Sequence, residues 1–427
     1  MPDINELTGN GQRVSVPESD TVPFSPDDEF GVSSGAFEEQ FDESILETMN
    51  VENWRIGIDL DEEFRRFRDE VREAERSETS KEKQIRERFF PRLAKMPNMP
   101  KHAGKHEAQQ EDIEAVHRGL LFNGGVEACD GIVQIHDTLP LTIYQIGVSL
   151  VSYRGEQGAW GQRLFRHDLK QKGIDVDELI QFLERRDKRD SSTRPPGADQ
   201  LGELVQNAIL QYAERAVLLR HSQAVWRMGH GNPVTYELLT GGNNLDIMVH
   251  ATGMLRELIE KHQKFVFIAS EPRDRLLHTI GQALRPMEYA IMGTLDDRLA
   301  TWLHQARFKV GVSRKLPWDQ DSINASEWIP RFIERVASKV VVGLFRTTLL
   351  APAQVFYAHE DHSEIAAHIA IADSMLREQG TPLLLHMAQH TCNAVFGDSL
   401  EALAEQAYSA AGAQDRYFSG RSHRVRS

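Results

Sequence analysis

The stretch Val126–His136, VEACDGIVQIH, decides the fold. It reads as β-like, and within it Asp130 is flanked by apolar residues and followed by a glycine. Such a run fits a strand, and Gly131 leaves room for another group to approach the backbone closely. Reading outward, Leu141–Tyr153 (LTIYQIGVSLVSY) has the β-branched and aromatic composition of a second strand, 154–158 (RGEQG) that of a turn, and Ala159–Arg166 (AWGQRLFR) the apolar–polar alternation of a third. An amphipathic helix is expected over Asp175–Arg186.

Three consecutive strands, the last two a hairpin, followed by a helix, match the opening of an RNase H-like α/β fold, in which an acid on the first strand faces a metal site. Beyond the Pro/Ser-rich linker 190–199 (DSSTRPPGAD), periodicity suggests a long helix from Leu201 to about Arg227 and a strand at Val234–Leu239 running into 240–244 (TGGNN). A helix at Asp246–His262 and a strand at Lys264–Ala269 follow. Strands alternating with helices imply a parallel extension, giving a mixed sheet. Further strands are expected at Lys339–Thr347 and Ala353–His359, with helices from Ser363 to about Ala411. The expected organisation is a disordered acidic leader (1–50), a charged helical extension and linker (51–104), and an RNase H-like core with C-terminal helices and a short basic tail (105–427). In the extension, Phe64, Phe67 and Val71 fall at helical spacing, as on a helix that packs against a partner.

Composition narrows the function. With 40% hydrophobic residues in 427, the chain can bury a sizeable core. Two cysteines, Cys129 and Cys392, with no paired metal-type spacing, exclude a disulfide framework and suit a reducing cytoplasm. The N-terminus lacks a basic start and an apolar run, so it is not a signal peptide, and no apolar stretch approaches the ~20 residues of a membrane span. The net charge of −15 argues against coating nucleic acid by bulk electrostatics. Residues 1–50, however, hold twelve acids against one base, Arg13, so the leader carries eleven of those fifteen charges and the rest is nearly balanced.

Asp130 is the first candidate for chemistry. A carboxylate among apolar strand residues is costly unless paired or bound to a cation, and Mg²⁺ or Mn²⁺ is the matching hard ion. Such ions activate water and stabilise the leaving oxygen in phosphodiester cleavage; the plainer alternative is a strand-end aspartate capping a turn. Ser270–Arg275 (SEPRDR) follows a strand end, where ligands sit in open sheets, and Arg273 and Arg275 are candidates for phosphate contact, set against an N-capping Ser270 with Pro272 in the first turn. TGGNN lacks the Lys and Ser/Thr of a P-loop, which excludes that mode of nucleotide hydrolysis. His386 and His390 share a helix face, but HMAQH lacks the glutamate of a zinc protease. The tail RYFSGRSHRVRS combines bases with aromatics, a composition suited to nucleic acid or to a solvated end.

Several segments in order resemble NurA-type nucleases over about residues 126–412. ACDGIVQ with the following Tyr144-containing strand is similar to the family's opening motif, whose aspartate binds metal. LQYAERAVLL (Leu210–Leu219) resembles its acidic helix, VVVGLFRTTLLAPAQVFYAHED its late hairpin, and GTPLLLHMAQH (Gly380–His390) its final motif. The resemblance implies a Mn²⁺- or Mg²⁺-dependent deoxyribonuclease with Asp130 and Glu214 as metal ligands and Asp246 as a third, and with His390 positioning water or the phosphate. It also implies a homodimer docked on a HerA-like hexameric DNA-translocating ATPase, in DNA end processing, repair or phage defence. The chain departs from the pattern at Ile132, which replaces a serine, and in the final motif, where Thr381 and Leu383 replace an aromatic. Thr240 stands where a second aspartate is expected, leaving Asp246 or Glu237 to substitute. The alternative is a catalytically degenerate adaptor of the same ATPase; nothing here separates DNA from RNA substrates.

Overall fold

The computed structural model describes residues 34–41, 43–54, 60–138, 141–167, 205–241, 244–269, 275–296, 299, 325–397 and 399–413. The expected helix at 175–186, the linker at 190–199, Ser270, Pro272, Arg273 and the basic tail lie outside them. The chain divides into two units, 1–76 and 77–427.

In the first unit, inside the stretch expected to lack regular structure, Ser34–Phe41 (α1) and Ile45–Met49 (α2) are short helices. Ser44 caps the second, its Oγ accepting from Leu46 N at 3.3 Å. Phe64, Phe67 and Val71 lie exposed on the long helix Leu60–Gln84 (α3).

In the second unit the strands among the described residues form one nine-stranded sheet in the order β1-β7-β8-β9-β6-β5-β2-β3-β4. The strands β2 (Val126–Asp137), β3 (Thr142–Ser152) and β4 (Gly155–Arg166) are antiparallel neighbours, while β5 (Trp226–His230) and β6 (Phe265–Ala269) run parallel to β2. This half is the RNase H-like arrangement. Beyond β6 every pairing is antiparallel: β9 (Gln354–His359), β8 (Val340–Phe345), β7 (Glu288–Thr294) and β1 (Gly104–Glu107). Neither β1, which begins at the last residue of the expected linker, nor β7 was foreseen. The core also reaches back before residue 105: Phe90 and Leu93 of α4 (Phe90–Leu93) are buried, and Arg86 makes a paired contact with Glu288 at 2.6 and 2.9 Å.

One face of the sheet is covered by α6 (Leu210–Arg220), α8 (Leu245–Arg256) and α10 (Ala325–Arg335), the other by α5 (Gln110–Val116), α11 (Ser363–Ser374) and α12 (Leu383–Phe396), with α9 (Arg275–Gln282) packed on the first face and α13 (Ser399–Ala410) on β2. Coverage on both sides explains why every residue of β3 is buried. The hairpin turn is tighter than the composition of 154–158 suggests, because β4 already begins at Gly155.

The expected helix 201–227 and strand 234–239 are both corrected. Helix α6 ends at Arg220, and β5 starts at Trp226, where Arg227 folds back to donate to Leu218 O (2.6 Å) and Ser222 O (3.3 Å), closing the helix's free carbonyl end. Residues 236–240 form a short helix, α7 (Tyr236–Thr240), because Thr235 Oγ1 accepts from Leu238 N (3.4 Å) and opens a helical turn where alternation alone suggests a strand. Among the described residues, no helix is long and apolar enough to cross a membrane.

Candidate active site

Strand β2 carries Asp130 at the point where its parallel neighbour ends. The register pairs Ala128 with Met228 and Cys129 with Gly229, and β5 then stops at His230. The chain turns away at Gly231, where φ is +77°, a left-handed conformation that glycine adopts without a Cβ clash. From Asp130 onward β2 is therefore open on that side, a crevice at strand C-termini of the kind that holds ligands in open α/β sheets.

Successive strand residues point to opposite faces. Cys129 packs in the cluster under α6, and its thiol donates to Glu214 O at 3.4 Å. Gly131 faces the same way. A Cβ there would lie 3.0 Å from Glu214 Oε1, 2.6 Å from Leu210 Cδ1 and 3.1 Å from Gly147 O. The absence of a side chain at Gly131 is what lets the Glu214 carboxylate come over the strand towards Asp130.

Asp130 is buried, Glu214 is nearly so with its side chain 12% exposed, and both are shifted. Burial raises Asp130 to about 7 against one relieving hydrogen bond, from Gly131 N at 2.9 Å to Oδ1. Burial likewise raises Glu214 to about 7; Arg215 opposes this, Asp130 adds to it and His230 opposes it. Arg215 is itself fully buried, which lowers its pKa. Its guanidinium reaches Glu214 Oε2 (3.1 Å), Gln211 O (3.0 Å), Pro233 O (3.0 Å) and Asn232 O (2.5 Å), and lies 5.3 Å over the Phe267 ring. It fastens Glu214 to the loop that follows β5.

The other wall is α12, sewn to β3 by polar side chains. Ser149 Oγ donates to Ala388 O (2.6 Å), Gln145 Nε2 to Phe396 O (2.7 Å), and the Phe396 ring fills a slot left by Gly147 and Gly161, paired across β3 and β4. At the helix start, Asp373 accepts from Leu384 N at 3.0 Å and from the Tyr153 hydroxyl. This anchoring brings Cys392 beside the acids. Burial and the charges of Asp130 and Glu214 push the Cys392 thiol up to about 12, and Cys129 also lies well above its usual value. Both sulfurs stay protonated near neutral pH, and the oxygens are the charged donors.

Of the residues singled out in sequence, Asp130 and Glu214 are brought together. Asp246 is not with them: it lies exposed in the first turn of α8, its N–H held by Asn244 Oδ1 at 3.0 Å. His390 is also outside. The buried positions of α12 are Leu384, Leu385, Ala388, Cys392 and Phe396, and His390, two residues from Cys392, falls about 200° round the helix on the exposed side. Thr240 is a buried helix-terminal residue rather than a strand-end one; Glu237 is half-buried, and its charge acts on Arg215. Arg275 opens α9, exposed. Sequence reasoning missed Arg215 and His230. A charged residue inside the apolar run of α6 was the available signal for the first; the second was hidden by the misplaced strand.

Two carboxyls that desolvation keeps partly protonated are a donor set that a hard divalent cation would stabilise, and Mg²⁺ or Mn²⁺ with water in the remaining positions fits. Among the described residues, no three His, Cys, Asp or Glu side chains are gathered tightly enough to hold a metal by themselves.

Fold and site together define a mixed α/β protein with an RNase H-like sheet and a carboxylate pair beside its open strand. No family model and no curated protein matches the chain. Among solved structures it is similar to the NurA nuclease from Sulfolobus solfataricus, at 11% identity and a TM-score of 0.41, covering 81% of this chain and 98% of that one. A NurA structure solved with manganese is similar at 10% identity and TM-score 0.34, covering 79% and 97%. Endonuclease V of Ciona intestinalis, in complex with an inosine-containing 24mer DNA, follows at 11% and 0.25, covering 69% and 95%.

Proposed function

We propose that the protein is a divalent-metal-dependent nuclease that hydrolyses DNA phosphodiesters. The observation that carries this reading is the pair Asp130–Glu214 at the C-terminal end of the parallel strands, where desolvation raises both carboxyls and Asp130 adds to the rise of Glu214. Asp130 and Glu214 would hold Mn²⁺ or Mg²⁺, which supplies Lewis-acid stabilisation of the phosphodiester and a more acidic water. The two acids give up the proton they retain near neutral pH when they take up a cation. Arg215 keeps the Glu214 carboxylate aimed across Gly131, and the packed walls of α6 and α12 keep the carboxyls out of bulk water, where their charge acts more strongly.

The wider role follows the resemblance to NurA-type proteins: a homodimer working with a HerA-like hexameric ATPase on DNA, in end processing, repair or phage defence, in the cytoplasm. Arg273 and Arg275 remain candidates for DNA contact, and His390 and Asp246 would serve only if α12 or α8 moved. A second reading, a non-catalytic adaptor of the same ATPase, is favoured by one observation: two rather than three donors are gathered at the site.

The test is degradation of labelled single- and double-stranded DNA by the full chain with Mn²⁺, beside Asp130→Ala. Cutting by the wild type and its loss in the variant support the nuclease. If the wild type cuts nothing, alone or with its ATPase, the adaptor reading replaces it.

A further inference from the structure

The loop that leaves β5 borders the crevice opened beside Asp130, and it carries a polar group fixed to the same arginine as Glu214. That group is Asn232, two residues beyond the strand end. Its carbonyl accepts from Arg215 Nη2 at 2.5 Å, while the same guanidinium donates to Glu214 Oε2 at 3.1 Å and to Pro233 O at 3.0 Å. Asn232 therefore lies one guanidinium away from the Glu214 carboxylate.

The side chain is held as firmly as the backbone. Asn232 Oδ1 accepts from Val234 N at 3.0 Å, closing an Asx turn around Pro233, whose ring fixes φ. Gly231, at φ +77°, makes the corner just before it. Arg215, Pro233 and Val234 are buried, and Asn232 is half-buried. Only an oxygen can accept from the Val234 N–H, so the network decides which end of the amide is which and leaves Nδ2 as the outer end. Among the described residues none accepts from Nδ2. The result is a hydrogen-bond donor set in place at the rim of the crevice with no acceptor in the protein. Donors fixed before the substrate arrives stabilise charge on an oxygen without reorganising, and asparagine side chains serve on phosphate oxygens in nucleic-acid contacts. A neutral donor suits the position: a lysine or arginine there would pair with Glu214 in the resting protein, whereas the amide stays open to a phosphate.

We propose that the Asn232 amide donates to a non-bridging oxygen of the nucleic-acid phosphate that the acid pair acts on. This inference rests on the nuclease reading of the acids.

The experiment compares the full-length wild type with Asn232→Ser and Asn232→Asp. Serine and aspartate both keep an oxygen for the Val234 N–H, and with it the turn; serine also keeps a donor, whereas aspartate turns a negative charge on the phosphate. Cleavage of a labelled single-stranded oligonucleotide with Mn²⁺ gives kcat and KM, and fluorescence anisotropy with Ca²⁺ in place of Mn²⁺ gives affinity without cutting. Asn232→Ser is expected to stay within about threefold of the wild type in both. Asn232→Asp is expected to bind the oligonucleotide about tenfold more weakly and to lose about a hundredfold in kcat, with an unchanged melting temperature. A role confined to the turn predicts that the two variants behave alike. Aspartate within threefold of the wild type, or serine as impaired as aspartate, overturns the role of Asn232 while the acid pair stands. If the wild type cuts nothing, the nuclease reading falls and the role of Asn232 with it.

Discussion

Replacing Asp130 by asparagine is expected to stabilise the metal-free protein while destroying its function. Burial raises the Asp130 carboxyl from 3.8 to about 7. Between about pH 4 and pH 7 the folded chain therefore keeps a proton that the unfolded chain has lost. The unfolded state binds fewer protons there, so stability falls as pH rises through this window and is level above it. A shift of about 3 units at ~1.4 kcal/mol each sets a ceiling near ~4 kcal/mol. Because the Asp130 charge also acts on Glu214, we expect roughly 2–4 kcal/mol. Asparagine keeps the acceptor for Gly131 N–H and removes the charge, so Asp130→Asn avoids that loss. Urea unfolding in the presence of a chelator is the assay. The variant should match the wild type near pH 4 and exceed it by the stated amount at pH 8. Adding Mn²⁺ should offset most of that difference, since a ligand at about a hundred times its dissociation constant contributes ~2.7 kcal/mol to the form that binds it. A variant less stable than the wild type at pH 8 without metal would refute the claim that an uncompensated charge sits at Asp130.

Two other substitutions probe the surroundings. Gly131→Ala puts a Cβ 3.0 Å from Glu214 Oε1 and 3.1 Å from Gly147 O; it should cost about 1–3 kcal/mol and weaken Mn²⁺ binding in calorimetry, and unchanged affinity would show that Glu214 does not need the gap. Away from the site, burial pushes Glu288 up, but Arg86, Arg285 N–H and Lys105 outweigh it and hold the carboxyl down at about 2. Its contribution is present above about pH 4.5 and lost as pH falls through about 2, so Glu288→Gln should lower stability by roughly 2–3 kcal/mol at pH 7 and flatten the acid limb of the unfolding profile.

Much of this protein is legible from local pattern. The run VEACDGIVQIH with the two strands after it specifies the antiparallel half of the sheet, because strand length, β-branching and alternation are properties of neighbouring residues. The same stretch marks Asp130, since an acid inside an apolar strand stands out without any structure. Glu214 could be named only by resemblance; its meeting with Asp130 depends on how α6 crosses β2, on Gly131 leaving room, and on a buried arginine whose partners are carbonyls up to eighteen residues away. The helix-to-strand boundary at 220–226 was lost because Arg227 closes α6 by a tertiary hydrogen bond, and with that boundary went the strand end at His230. His390 and Asp246 looked eligible as residue types, yet helix phase and packing turn both towards solvent. Residue chemistry and periodicity are written in the chain, whereas which side chains share a space is decided by packing, a sum of many weak long-range contacts that no short window contains.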